Sequence, residues 1–163
     1  MKPFIISLDY ATPTNDYKCQ PINVYTDLCA DLFHYGHMNF LRQCSDLYPN
    51  TNLIVGIHSD ADIETYKRMP VMTMNERIRA VAGCRHVNQI IANAPLKITA
   101  EYMDEFDLQM IVHADEIDDD TRDEWYSIPI QYGRYCEVKR TVGVSTTDII
   151  NRIIKRSHEL KSN

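Results

Sequence analysis

Residues 22–41 read Ile22-Asn-Val-Tyr-Thr-Asp27-Leu-Cys-Ala-Asp31-Leu-Phe-His34-Tyr-Gly36-His37-Met-Asn-Phe-Leu41. The first five have the apolar, β-branched and aromatic character of a buried strand. From Phe40 the apolar positions Leu41, Cys44, Leu47 and Tyr48 fall at helical spacing. Two histidines flank a glycine between these elements. A strand, a short polar turn and a helix predict that His34 and His37 stand together at a helix N-terminus. The unpaired backbone N–H groups there favour an anion. Imidazole N–H groups add hydrogen bonds suited to phosphate oxygens.

Working outward, the same alternation recurs. Strands are expected at 22–27, 52–57, 87–92, 109–113 and, more weakly, 135–139. Helices are expected at 37–48, 59–66, 74–84, 99–106 and 145–158. The short, continuous apolar runs suit strands covered on both faces. Alternating β and α elements predict an α/β fold, a Rossmann-like doubly wound parallel sheet of about five strands. Ligands in such sheets lie beyond the carboxyl ends of the strands. The segments after the first, second, fourth and fifth expected strands should therefore converge. Residues 1–20, with the turn-forming Thr12-Pro-Thr-Asn-Asp16, read as a leader or an extra edge element. Residues 21–158 read as one catalytic domain and 159–163 as a tail.

Composition narrows the function. The chain has 163 residues, 44% hydrophobic, with a formal charge of −6. The charge is uneven: residues 101–124 hold 11 of the 23 acidic residues and one basic residue, Arg122. The rest carries 16 basic against 12 acidic residues, so an anion site is compatible with the total. Asp118-Asp-Asp120 reads as a solvated loop. No basic stripe interleaved with aromatics points to nucleic acid. No run is long enough to span a bilayer. Five cysteines without Cys-x-x-Cys spacing read as reduced thiols of a cytoplasmic protein.

The usual nucleotide fingerprints, Gly-x-Gly-x-x-Gly and Gly-Lys-Ser/Thr, are missing. Other groups could do their work. A metal reading of His34 and His37 would need further ligands that the sequence does not offer locally. Arg140-Thr141-Val-Gly143-Val144-Ser145-Thr146-Thr147-Asp148 combines a guanidinium and hydroxyls with a second helix start, capped by Ser145. Thr73 and Glu76 have capping-box spacing, with Lys67 in the stretch before them. His113-Ala114-Asp115 follows the fourth expected strand, where ligands are met.

Four blocks together resemble the cytidylyltransferases that make CDP-ethanolamine, CDP-choline and CDP-glycerol, nucleotidyltransferases of the His-x-Gly-His type. They are His34-Tyr-Gly-His37; Lys67 with Pro70-Val-Met-Thr and Glu76-Arg77; Asn93-Ala-Pro95; and Arg140-Thr-x-Gly-x-Ser-Thr-Thr147. Gly133-Arg-Tyr and Lys139-Arg-Thr look closest to the ethanolamine-phosphate enzymes. Leu47-Tyr-Pro-Asn-Thr and Leu53-Ile-Val-Gly look closer to the choline-phosphate enzymes.

The resemblance implies transfer of CMP from CTP to a phosphomonoester, most specifically phosphoethanolamine, with Mg²⁺ carried in on CTP and no protein metal site. It implies that His34, His37, Lys67 and Arg140 are catalytic. It implies nucleotide contacts from Asp27, Cys29, Ala30, Asp31, Gly36, Arg77, His113, Asp115, Thr141, Gly143, Val144, Ser145 and Thr146. Lys67, Leu96 and Ala114 would face the acceptor. Leu96 and Ala114 stand where choline enzymes have a tryptophan and an aspartate, which favours a primary ammonium over a caged quaternary one. Arg85-His-Val-Asn-Gln89 matches the family's dimer loop, implying a homodimer. The basic tail from Lys155 is too short for a stable membrane anchor. Two alternatives accompany this reading. One is another acceptor or nucleotide specificity in the same superfamily. The other is a nucleotide-binding protein without catalysis, because Leu28 and Ala30 replace a glycine and a phenylalanine.

Overall fold

The computed structural model describes residues 2–8 and 20–160. Its strands are β1 (Phe4–Ser7), β2 (Ile22–Leu28), β3 (Thr51–Ile57), β4 (Gln89–Ala92), β5 (Met110–Ala114) and β6 (Tyr135–Val138). They form one sheet in the order β1-β4-β3-β2-β5-β6. The five strands from β2 to β6 pair in parallel. β1 adds an antiparallel edge on β4, with Ile5 opposite Ile91. The doubly wound sheet expected from the apolar runs is therefore present, extended by this edge strand. The turn formers of residues 12–16 lie outside the described residues.

The helices are α1 (Tyr35–Ser45), α2 (Asp60–Glu64), α3 (Met74–Ala82), α4 (Ala100–Glu105), α5 (Asp119–Trp125), α6 (Ser127–Gln131) and α7 (Thr146–Leu160). Neighbouring strand residues feed two cores on opposite faces, as the period of two requires. Val24, Leu53, Val55, Ile90 and Val112 pack with Leu41 and Cys44 of α1 and Val81 of α3. Tyr25, Ile54, Ile91 and Ile111 pack with Tyr102 and Met103 of α4 and with Tyr126. Both cores exclude water almost completely, which makes apolar burial the main source of stability.

Two sequence expectations need correction. Asp118-Asp-Asp120 is no loop. Asp118 caps α5, its Oδ1 accepting from Thr121 N–H at 2.9 Å, and Asp119 and Asp120 occupy the first turn. Carboxylates there are stabilised by the unpaired N–H groups and the helix dipole, which is why an acidic run can start a helix. Ser127–Gln131 also forms a short helix, α6, that the sequence reading did not contain.

Candidate active site

The carboxyl ends of β2, β3, β5 and β6 open onto one cavity of about 820 Å³. At one wall, α1 begins with an unusual cap. His34 is its N-cap and accepts from Gly36 N–H through Nδ1 at 3.2 Å. His37 Nδ1 accepts from His34 N–H at 3.3 Å. The two side chains close a capping box normally made by Ser or Thr with Glu. An Nδ1 that accepts cannot also carry a proton, so each neutral ring holds its proton on Nε2. The rings stack 3.9 Å apart between centroids, and Phe33 stacks on His37 at 5.5 Å. Burial, with His34 next to it, pushes His37 down to about 3. Burial, and then the charge of Arg140, lowers His34 as well. At neutral pH both are uncharged rings with N–H donors fixed by their own backbone.

The second helix start sits against the first. A Cβ on Gly36 would lie 2.7 Å from Val144 Cγ1 and 3.0 Å from the His34 ring. Glycine at 36 is therefore what allows the two helix starts to touch. α7 is capped by Ser145, whose Oγ accepts from Asp148 N–H at 3.0 Å. Gly143, with φ of 89°, makes the left-handed turn that leads into it. Thr146 Oγ1 donates to the Asp31 carbonyl at 2.9 Å, tying the α7 start back to the β2 turn. Gln43 of α1 donates to the Lys139 carbonyl at 2.9 Å.

Arg140 lines the cavity near His34 and is held by carboxylates. Its Nε donates to Glu116 at 2.7 Å, and its backbone N–H donates to Asp115 Oδ1 at 2.9 Å. That backbone bond, with Lys139 bound to the other oxygen at 2.9 Å, holds the Asp115 carboxyl below the usual range. Lys67 also lines the cavity, its Nζ 5.4 Å from the Tyr66 ring centre.

The cavity wall includes Asp27, Cys29, Ala30, Asp31, His34, Gly36, His37, Lys67, His113, Ala114, Arg140, Thr141, Val144, Ser145 and Thr146 of the residues singled out by sequence. Four others do not line it. Arg77 is fully buried behind it, donating to the carbonyls of Cys29 (2.6 Å) and His58 (2.9 Å) and to Asp60 (2.5 Å). It binds the ends of β2 and β3 rather than facing the cavity. Asp115 is occupied by the β6–α7 turn. Gly143 shapes that turn from outside, and Leu96 falls off the wall. Asp31 does line the cavity, but both carboxylate oxygens are taken by the N–H groups of Val71 and Met72 (3.1 and 2.9 Å). Its role in the structure is to hold the stretch after Lys67. Leu28 ends β2 opposite Ile57. The left-handed backbone of this turn falls instead at Ala30 (φ 60°) and Leu32 (φ 45°).

Sequence reasoning missed His58, Tyr66 and Trp125 of the wall and Tyr126 beneath it. His58 follows β3 as His113 ends β5, so the rule that selected His113 could have selected it too. Tyr126 and Trp125 carried no signal because they fell outside every strand and helix expected from the sequence.

Comparison with known proteins gives the family and the fold. The family model described as Cytidylyltransferase-like matches residues 25–152. A probable choline-phosphate cytidylyltransferase of Schizosaccharomyces pombe is 37% identical over 92% of this chain and 42% of its own length. An ethanolamine-phosphate cytidylyltransferase of Dictyostelium discoideum is 38% identical over 88% of this chain and 39% of its own. One from Arabidopsis thaliana is 39% identical over 84% and 33%. A crystal structure of the lipopolysaccharide core biosynthesis protein from Thermoplasma volcanium GSS1 superposes with a TM-score of 0.58. It covers 76% of this chain and 98% of that one at 19% identity, a likeness of fold. By that family match, the parallel sheet whose strand ends meet at two abutting helix starts is a nucleotidyltransferase-type domain. The chain belongs to the cytidylyltransferase-like family, and it spans about two fifths of the length of such relatives.

Proposed function

We propose that the protein transfers CMP from CTP to phosphoethanolamine, releasing pyrophosphate and CDP-ethanolamine. The observation that carries this reading is the shared cavity. His34, His37, Arg140, Ser145 and Thr146 line one wall, drawn together by the Gly36–Val144 contact. The acceptor's phosphate, with a second pKa of about 6, is largely a dianion at neutral pH and needs no general base. One of its oxygens attacks the α-phosphorus of CTP as the bond to the bridging oxygen breaks, and pyrophosphate leaves with that electron pair. The protein's work is to collect two anions and stabilise the charge that develops.

His34 and His37 offer neutral N–H donors to the triphosphate. Neutral rings donate without a proton that the phosphates would have to titrate. Arg140 and the α7 start hold the β- and γ-phosphates, Lys67 joins the two substrates, and His113 lies toward the cytidine or the acceptor. Mg²⁺ enters as part of the CTP substrate. Its ligands on this reading are chiefly the phosphates themselves. Ala114 and the displaced Leu96 leave the acceptor end without the acid and indole of a choline cage, which suits a primary ammonium. A homodimer through Arg85–Gln89 and a cytoplasmic setting complete the reading. Cys29, Cys44, Cys84 and Cys136 are free thiols, and no helix among the described residues is long and apolar enough to cross a membrane.

The test is incubation with CTP, Mg²⁺ and phosphoethanolamine, following pyrophosphate and CDP-ethanolamine. Parallel reactions use phosphocholine and glycerol 3-phosphate, and ATP in place of CTP. Product from CTP with phosphoethanolamine supports the proposal. Turnover with ATP alone overturns the cytidine assignment. A thermal shift with CTP but no product from any acceptor overturns catalysis and favours a binding protein.

A further inference from the structure

The wall that gathers phosphate donors also keeps a carboxylate. Asp31 lines the cavity with His34 and His37 and is only 5% exposed. A negative charge there opposes the phosphates the site is proposed to hold, so another task has to account for it. Its surroundings show that task. Oδ2 accepts from Val71 N–H at 3.1 Å and Oδ1 from Met72 N–H at 2.9 Å. The backbone on both sides of Asp31 is left-handed, with φ of 60° at Ala30 and 45° at Leu32. Two non-glycine residues in that region, one on each side of a single residue, make a strained turn that persists only where its surroundings fix it. Thr146 of α7 is part of that fixing, its hydroxyl donating to the Asp31 carbonyl at 2.9 Å.

The far ends of those two bonds belong to the strap of residues 67–72, between α2 and α3. At its start the strap is well anchored. Lys67 N–H donates to the Ile63 carbonyl at 2.9 Å, and the Tyr66 ring just before it meets Trp125 edge-on at 5.1 Å. After Lys67 little packs it down: Met69 is 50% and Val71 61% exposed. Among the described residues, no hydrogen bond other than the two to Asp31 holds residues 68–72. Pro70, with its φ fixed by the ring, limits how far the chain between Val71 and Lys67 can flex. Where Lys67 stands in the cavity wall therefore depends on one side chain of the β2 turn.

We propose that Asp31 is a positioning residue that sets Lys67 against the reacting phosphates, and that it makes no contact with the nucleotide itself. This placement rests on the proposed transfer, in which Lys67 joins the two substrates, and adds to it the residue through which Lys67 is held. A carboxylate is what the task requires. It offers two acceptor oxygens to two successive N–H groups, whereas an amide of the same shape offers one and turns its own N–H groups against the second. With both oxygens engaged, the charge of Asp31 faces backbone N–H dipoles of the strap. The strained turn aims that side chain, and the Thr146 bond fixes its backbone relative to the α7 start. Lys67 is thereby held in a set position relative to the helix start that is proposed to hold the β- and γ-phosphates.

The experiment is a double-mutant cycle on turnover with saturating CTP, Mg²⁺ and phosphoethanolamine, with CTP binding measured by calorimetry alongside. Asp31→Asn keeps the shape and removes one of the two acceptors. It should lower kcat about tenfold to a hundredfold, while the dissociation constant for CTP changes by less than about threefold. Lys67→Ala lowers kcat on its own. Adding Asp31→Asn to it costs less than about a further twofold, because the group that Asp31 places is already gone. A structural role alone would multiply the two losses instead. Val71→Pro removes one of the same bonds from the strap side, outside the cavity wall, and should repeat the pattern with a smaller loss. Should Asp31→Asn fail to fold, that variant decides. Wild-type turnover in Asp31→Asn, losses that multiply in the double variant, or a loss of CTP affinity as large as the loss of kcat overturns the inference and leaves the proposed transfer standing. A wild-type protein that releases no pyrophosphate from CTP with any acceptor removes the proposed transfer, and the inference with it.

Discussion

The two helix starts that meet in the cavity are built on opposite principles. At α1 the donors are uncharged, half-buried and locked by reciprocal bonds to their own backbone. At α7 the main group is a permanent charge, half-exposed and held by Glu116 and the Asp115 turn. On the proposed reading, the first would need no rearrangement to receive a phosphate, and the second would exchange a carboxylate for the incoming anion. Preorganised donors contribute most to transition states, whereas exchangeable ion pairs contribute mainly to binding.

The largest expected effect lies on the α1 side. His37→Ala should lower kcat by about a hundredfold to a thousandfold, the usual loss for one preorganised donor. A steady-state assay with saturating CTP checks it, and wild-type turnover would erase the proposed asymmetry. Arg140→Ala should act more on CTP binding, lowering kcat/KM for CTP about tenfold to a hundredfold with a smaller change in kcat. Glu116→Gln releases Arg140 and should improve the KM for CTP by about twofold to fivefold, the scale of a partly exposed ion pair. An increase in KM would mean that Glu116 orients the guanidinium instead of competing for it.

The smallest effect sharpens the electrostatic half of the comparison. His34 and His37 both have folded-state pKa values below their unfolded value of about 6.5. The unfolded chain therefore takes up protons first, and the stability these residues contribute is lost as pH falls from about 6.5 toward about 3. On the proposed reading, bound CTP would place negative charge beside the rings and reduce that loss. Thermal melts across this range, with and without CTP, should show the nucleotide-induced shift growing as pH falls from 7 to 5.5.

How much of this was legible before any coordinates depended on the kind of signal. β2, β3 and β5 announce themselves through short apolar runs, and Thr73 with Glu76 announces α3 through its cap, which the structure contains with Glu76 N–H donating to Thr73. α5 was hidden because its capping acids look the same as a solvated acidic loop in one dimension. His34 and His37 were visible as a pair, yet their mutual capping depends on ring orientation. Arg77 shows the limit most plainly. Its motif neighbourhood marks it, but whether an arginine on a helix faces a cavity or braces the strands behind it depends on which side of the helix packs. His58 and Tyr126 come from segments 68 residues apart, and only the folded sheet brings them to the Asp27 carboxylate.

The most direct test is an NMR titration of CTP into protein labelled at histidine and arginine nitrogens. Grip of one triphosphate by both helix starts predicts that His34 Nε2, His37 Nε2 and Arg140 Nε shift along a single isotherm with one dissociation constant. Histidine signals that move while Arg140 stays still, or separate isotherms for the two groups, would contradict it.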